Sequence, residues 1–262
     1  MAYLFGDNER AVRRLGILAR AFKPATVSFF EAWSDAHGLD PDLEAPTVVD
    51  LGCGPGHTTR LVAHQLGHPA IGLDSSEPFL WEARRLGPSR VRFRKADVTG
   101  PWPTPPAHFA FGRLLLTHLN DIADVLRTWE AALAPCGWLL VEEVNAIDTD
   151  VEPFRRYLEI LAAALAKQGR ELYVGQSLLE AVAGGALEVC LDRVHHYPIS
   201  NAEAATLFAM NLRTIHESDG FLEVAENPEI EALQGDLEQL AATFPTTTDI
   251  QWGLRQLALR MQ

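Results

Sequence analysis

Cysteine is scarce in this chain: Cys53, Cys136 and Cys190 are its three thiols in 262 residues. Three is too few and too odd for a disulfide framework, and no pair has the C-x-x-C spacing of a zinc site. Basic side chains are also few, 22 Lys and Arg against 35 Asp and Glu, which leaves a formal net charge of −13. That balance argues against a duplex nucleic-acid partner, which usually demands a basic face. No run approaches the roughly 18 consecutive apolar residues of a membrane span. The opening MAYLFGDNER has acidic residues in place of a signal peptide's apolar core. Internal repeats and low-complexity tracts are absent. What remains is a cytoplasmic protein acting on a small molecule, with no metal, membrane or nucleic acid expected.

What is present is ordinary globular material, 47% apolar and 22% charged. A chain of this size buries roughly 70–75% of its unfolded surface without needing staples. Residues 1–45 read as a helical arm: Val12, Leu15, Leu18, Ala19 and Phe22 fall at helical spacing. Pro24 is expected to break that helix, and a second one follows from Thr26 to His37. From Thr47 the rhythm changes to short apolar runs alternating with helices, the pattern of parallel βαβ units. The runs are TVVDL from Thr47, AIGLD from Ala70, VRFRKAD from Val91, Phe109–Leu116 and WLLVEEV from Trp138. Five strands by residue 144 predict an α/β, doubly wound sheet over 46–148. Helices and one strand-like stretch (Leu187–Tyr197) fill 149–248. They are expected to cap the sheet's C-terminal edge, where ligands bind. The alternating run from Ile250 predicts a closing strand over 249–262.

The strongest chemical signal is VVDLGCGPG, Val48 to Gly56. Glycines directly after a strand allow backbone conformations and a close ligand approach that a Cβ would block. The helix beyond them offers unpaired N–H groups. Such a unit holds a nucleotide-like ligand. The dinucleotide fingerprint wants its third Gly or Ala where His57 stands, and Pro55 removes an N–H that a pyrophosphate would use. The loop therefore suits a ligand lying flat across it, with an NAD-dependent dehydrogenase as the weaker alternative. Asp74 ends the second run, where a carboxylate accepts ribose hydroxyls of NAD or of any adenosyl cofactor. Asp97-Val98 ends the third, where an acid and an apolar residue can meet an adenine.

With these residues in place, Thr47 to Val144 resembles the Rossmann-like core of class I S-adenosylmethionine-dependent methyltransferases. VVDLGCGPG matches their first motif, IGLDSS their second and KADV their adenine-side motif; FAFGRLLLTHL and LAPCGWLLVEE resemble their fourth and fifth strands. The opening Tyr3-Leu4-Phe5-Gly6-Asp7 and the closing strand are similar to a bacterial small-molecule subgroup near the trans-aconitate methyltransferases. The resemblance implies S-adenosylmethionine as cofactor. Gly52, Cys53 and Gly54 would back its amino-acid and ribose part, with Asp50 anchoring the loop beneath. Asp74 and Ser75 would take the ribose, Asp97 and Val98 the adenine, and Arg113 would lie at the amino-acid end. Two positions depart from the family pattern: Cys136 replaces a common Gly, and Ala110 a common Asp.

Methyl transfer to a small molecule, oxygen before nitrogen or carbon, is the activity the resemblance implies. The alternative is a methyltransferase fold that binds the cofactor without methylating. A carboxylate acceptor needs no base, whereas a phenol usually does. His118, after the fourth strand, is the one candidate catalytic base carried forward. Tyr3 and Phe5 are candidates for an aromatic arm over the site, and Arg213 and Asn211 for an acidic acceptor's contacts from the lid. Asn145, with Glu142 and Glu143 at the end of the fifth strand, is expected to face substrate. The partner is a small-molecule acceptor, and the chain is expected as monomer or homodimer.

Overall fold

The computed structural model describes residues 5–40, 42–85, 90–217, 227–243 and 249–262. Seven strands form one sheet: β1 (Val48–Leu51), β2 (Ala70–Asp74), β3 (Val91–Lys95), β4 (Ala107–Arg113), β5 (Leu133–Asp148), β6 (Leu187–Ser200) and β7 (Asp249–Met261). Their order is β3-β2-β1-β4-β5-β7-β6. The first five are parallel, and β7 runs antiparallel to both β5 and β6. Order reverses between β1 and β4, so the loops after those strands open into the crevice where such sheets take ligands. Strand β1 is buried at every position, as expected of a central parallel strand covered on both faces.

The connecting helices are α2 (His57–Leu66), α3 (Glu77–Arg85) and α4 (Ile122–Ala131). Asp121 caps α4 by accepting the Asp124 N–H. A Pro-rich loop, not a helix, joins β3 to β4. The later helices are α5 (Glu152–Lys167), α6 (Leu178–Val182), α7 (Asn201–His216) and α8 (Asn227–Thr243). Helices α5, α7 and α8 pack with Phe154, Tyr157, Leu161, Phe208 and Trp252 into a core above the sheet's edge, whereas α6 joins α4 in the core on the sheet.

Two expectations are corrected. Residues 9–36 form one continuous helix, α1 (Glu9–Ala36), with Pro24 inside it. Pro24 and Arg20, whose carbonyl loses its bond, both face solvent, while Phe22, Ala25, Phe29, Phe30 and Trp33 on the other side are buried. The interruption falls on the exposed side, and the buried apolar face holds the helix through it. The second correction concerns residues 187–200. They are not part of a lid: β6 pairs with β7 over its whole length and completes the sheet. Cys136 takes a φ of +59° at the start of β5, a backbone region that glycine enters without strain.

Candidate active site

The site grows from the loop after β1. Gly52 and Gly54 have φ of +62° and +49°. A Cβ on Gly52 would stand 2.6 Å from Leu115 Cδ1, so only glycine lets the two loops meet. Beneath the loop, the buried Asp50 accepts from Thr58 Oγ1 (2.7 Å) and Thr59 Oγ1 (2.6 Å), tying the start of α2 to the strand. Burial pushes its carboxyl up to about 6 despite those two donors. Cys53 is buried and its thiol is driven well above its ordinary value, also by burial, which leaves it inert as a nucleophile.

Asp74 sits at the edge of the loop. Its Oδ2 accepts the Gly54 N–H (2.8 Å) and its Oδ1 the Ser76 N–H (2.8 Å). Burial raises its pKa against the pull of those N–H groups. Ser76 in turn donates to Asp7 (2.9 Å), so residues of the N-terminal arm close over this edge. Further along, Asp97 accepts from the Thr99 backbone and hydroxyl, which hold its carboxyl below the usual range. Val98 is buried beside it, and its carbonyl accepts Trp129 Nε1 at 2.9 Å.

Asp50, Thr59 and Trp129 lie behind the wall; the other groups line one cavity of about 880 Å³, together with Ser75 and Arg113. Arg113 donates to Thr26 of α1 (3.1 Å), and Thr26 donates to the buried Glu142 (2.7 Å). Gln256 on β7 completes the support of that carboxylate at 2.5 Å. The cavity continues past the turn after β4 into a second half. Phe5, Arg14, His118, Asn120, Arg170 and Asn211 wall that half, over an apolar floor that includes Leu161, Leu165 and Trp252. Arg14 and Arg170 are both buried. Arg14 donates to Asn211 Oδ1 (3.2 Å), whose amide donates to Tyr157 (2.8 Å); Arg170 donates to Asn120 (3.1 Å) and to Gln168 (3.0 Å). His118 meets the Phe5 ring edge-on at 5.6 Å. Burial, then the charges of Arg14 and Arg170, push its pKa down to about 3, so it is neutral at pH 7.

The structure thus brings together Phe5, Gly52, Cys53, Gly54, Asp74, Ser75, Asp97, Val98, Arg113 and His118, with Asp50 directly below. Asn145 is not among the cavity's lining residues; its carbonyl accepts from Gln176 at 2.8 Å. Arg213 lies outside the cavity as well, on the face between α7 and α8, where it pairs with Glu238. Glu142 and Glu143 are fully buried and not presented to the cavity: Glu142 accepts from Thr26 and Gln256, and Glu143 from the Leu115 and Leu116 N–H groups. Tyr3 lies outside the described residues. Arg14 and Arg170 were missed by sequence reading. Arg14 is legible as a charge at helical spacing with the apolar Ala11, Leu18 and Phe22 of α1, whereas Arg170 follows α5 in a loop with no pattern. Among the described residues no group of three metal-ligating side chains comes together, and no helix is long and apolar enough to cross a membrane.

A glycine loop flush with a cavity, an acid at the end of β2 and an acid–apolar pair after β3 fit an adenosyl ligand lying along the strand ends. Comparison with known proteins agrees. Residues 48–137 match Methyltransf_25, a methyltransferase domain family. The chain carries a methyltransferase domain of the class I, S-adenosylmethionine-dependent type, which favours the adenosyl cofactor over the dinucleotide alternative. Its curated relatives include the trans-aconitate 2-methyltransferase of Methylobacterium nodulans, 40% identical over 46% of each chain. That of Rhizobium meliloti is 31% identical over 63% of this chain and 66% of its own. The aligned region thus spans about half to two thirds of those relatives. Among solved structures, the cyclopropane synthase MmaA2 from Mycobacterium tuberculosis superposes with a TM-score of 0.54 at 17% identity, covering 89% of this chain and 83% of that one. The [4+2]-cyclase SpnF superposes with a TM-score of 0.53 at 19% identity, covering 91% and 82%. At such identities the likeness concerns the fold alone.

Proposed function

We propose that this protein transfers a methyl group from S-adenosylmethionine to a carboxylate oxygen of a small acceptor bearing more than one carboxylate. One observation carries the reading: the half of the cavity beyond the glycine loop is walled by two buried guanidiniums and a neutral histidine. When bound, S-adenosylmethionine supplies a methyl on a positively charged sulfur, open to in-line displacement by an oxygen lone pair. Gly52, Gly54, Asp74, Ser75, Asp97 and Val98 would hold that cofactor, and Arg113 would face its amino-acid end. On the acceptor side, Arg14 and Arg170 offer paired donors in a buried setting, where guanidinium–carboxylate contacts are strong and oriented.

The weakness of His118 as a base fits the same acceptor. A group with a pKa of about 3 is far too weak to deprotonate a phenol or an alcohol at neutral pH. A carboxylate arrives ionised, and its transfer moves no proton. His118 then serves as a neutral wall and hydrogen-bonding group, packed against Phe5. Phe5, Leu15 and Leu18 cover the cavity and keep water from the reacting atoms. The trans-aconitate 2-methyltransferases among the relatives, named for a tricarboxylate, support the same class. The test is Arg170→Gln assayed with a di- or tricarboxylate. Its acceptor KM should rise at least tenfold while affinity for S-adenosylhomocysteine stays within threefold. An unchanged KM, or a rise equal to that for an uncharged acceptor, would remove Arg170 from the acceptor site.

A further inference from the structure

The turn between β4 and the short 3-10 segment Leu116–His118 is the partition between the two halves of the cavity. Leu114, Leu115, Thr117, His118 and Leu119 all line it. The turn is not self-supporting. Leu114 holds a φ of +51°, a left-handed conformation that strains any residue with a side chain. Its N–H still reaches the sheet, donating to the Glu142 carbonyl at 2.9 Å. The next two N–H groups are turned away from the strand ladder. Both are collected by one atom, Oε1 of Glu143, at 2.7 Å from Leu115 N and 2.8 Å from Leu116 N.

Glu143 is fully buried and does not line the cavity. Its second oxygen, Oε2, is buried without a hydrogen-bond partner among the described residues. An ionised carboxylate placed so would leave charge unsolvated, and burial together with the neighbouring Glu142 pushes its pKa up to about 8. At neutral pH the group therefore acts as a neutral carbonyl-type acceptor for two backbone donors. What it holds matters on both sides. Leu115 packs directly over Gly52 of the glycine loop, at a distance no Cβ could share. Three residues on, His118 stands in the acceptor half against Phe5.

We infer that Glu143 is a positioning residue: through Leu115 and Leu116 it sets the turn that shapes the cofactor half with Leu115 and the acceptor half with His118. This deepens the function proposed above and rests on it. Glutamine keeps the Oε1 acceptor, whereas leucine keeps the bulk and removes it. The experiment compares Glu143→Gln and Glu143→Leu with the wild type for S-adenosylhomocysteine affinity by calorimetry and for acceptor KM and kcat, all well below Tm. Glu143→Gln should stay within threefold of wild type in both binding constants. Glu143→Leu should lose at least tenfold in S-adenosylhomocysteine affinity and raise the acceptor KM by a similar factor. A merely structural role would lower Tm and leave the binding constants of the folded protein unchanged, and that result overturns the inference. If Glu143→Leu does not fold, Leu115→Ala at this half-buried position decides: weakened S-adenosylhomocysteine binding supports the inference, and unchanged binding contradicts it. A wild type that binds no adenosyl ligand would instead sink the cofactor reading itself, which keeps the two failures apart.

Discussion

At the scale of single residues, the site is governed by burial acting on titratable groups. Asp74 is asked to do two things, hold the Gly54 N–H and present a carboxylate at the loop's edge. Asp74→Ala should therefore weaken S-adenosylhomocysteine binding by roughly 1.5–3 kcal/mol, the range for lost charged hydrogen bonds; calorimetry reads this directly, and an unchanged affinity would free Asp74 from the cofactor. His118 makes a prediction of opposite sign to a catalytic base. Its folded pKa, about 3, lies below the unfolded value near 6.5. The unfolded chain therefore binds the extra proton between those values, so this contribution to stability is present above pH 6.5 and is lost as pH falls toward 3. Chemical denaturation from pH 7 to 4 should show a shallower loss for His118→Gln than for wild type. Glu143 runs the other way: its folded pKa of about 8 exceeds the ordinary 4.5, so its contribution declines as pH rises from 4.5 through 8. Neither histidine nor glutamate advertises this in the sequence, because the burial that shifts them comes from elements far away in the chain.

At the scale of elements, legibility followed periodicity. The strands β1, β2 and β5 and the glycine loop were readable because apolar runs closed by Gly or Asp have few other uses. The helices α5 and α7 announced themselves through stripes such as Phe154–Leu158–Leu161–Leu165. Pro24 does not end the helix because the hydrogen bond it removes lies on the exposed side of α1, which a local rule about proline does not register. Exposed, it interrupts the ladder at a cost that the buried face of α1 offsets. Pro24→Ala should restore that bond and raise stability by about 1–2 kcal/mol, after allowing for the greater freedom of the unfolded chain. A lower Tm for the variant would mean that the proline's fixed geometry is needed. The strand at 187–200 was recognised as a strand but assigned to the wrong layer. Its alternating pattern fits a sheet edge and a lid hairpin equally well, and only its pairing with β7 separates them.

At the scale of the whole molecule, one cavity is divided into a half built by consecutive βα loops and a half built by α1, α5, α7 and the turn after β4. The first half was legible because its residues stand at fixed places in a short repeated pattern. The second was legible only in part: Arg14 and Asn211 can be picked out on α1 and α7, whereas Asn120 and Arg170 sit in loops with no pattern, and only packing makes the four neighbours. That is also why Asn145 and Arg213, plausible by position, lie elsewhere. The charge of the two arginines, set in a chain of net charge −13, concentrates attraction for an anion at a single place. The central claim is the pairing of an adenosyl cofactor with a carboxylate acceptor across that partition. The most direct test is to supply S-adenosylmethionine labelled in its methyl group with a small polycarboxylate, trans-aconitate first, and to treat the product with mild base. The account predicts label in the acceptor as an ester that base releases as methanol, with no transfer to the corresponding triamide. Label that resists base, or equal transfer to the uncharged analogue, would contradict it.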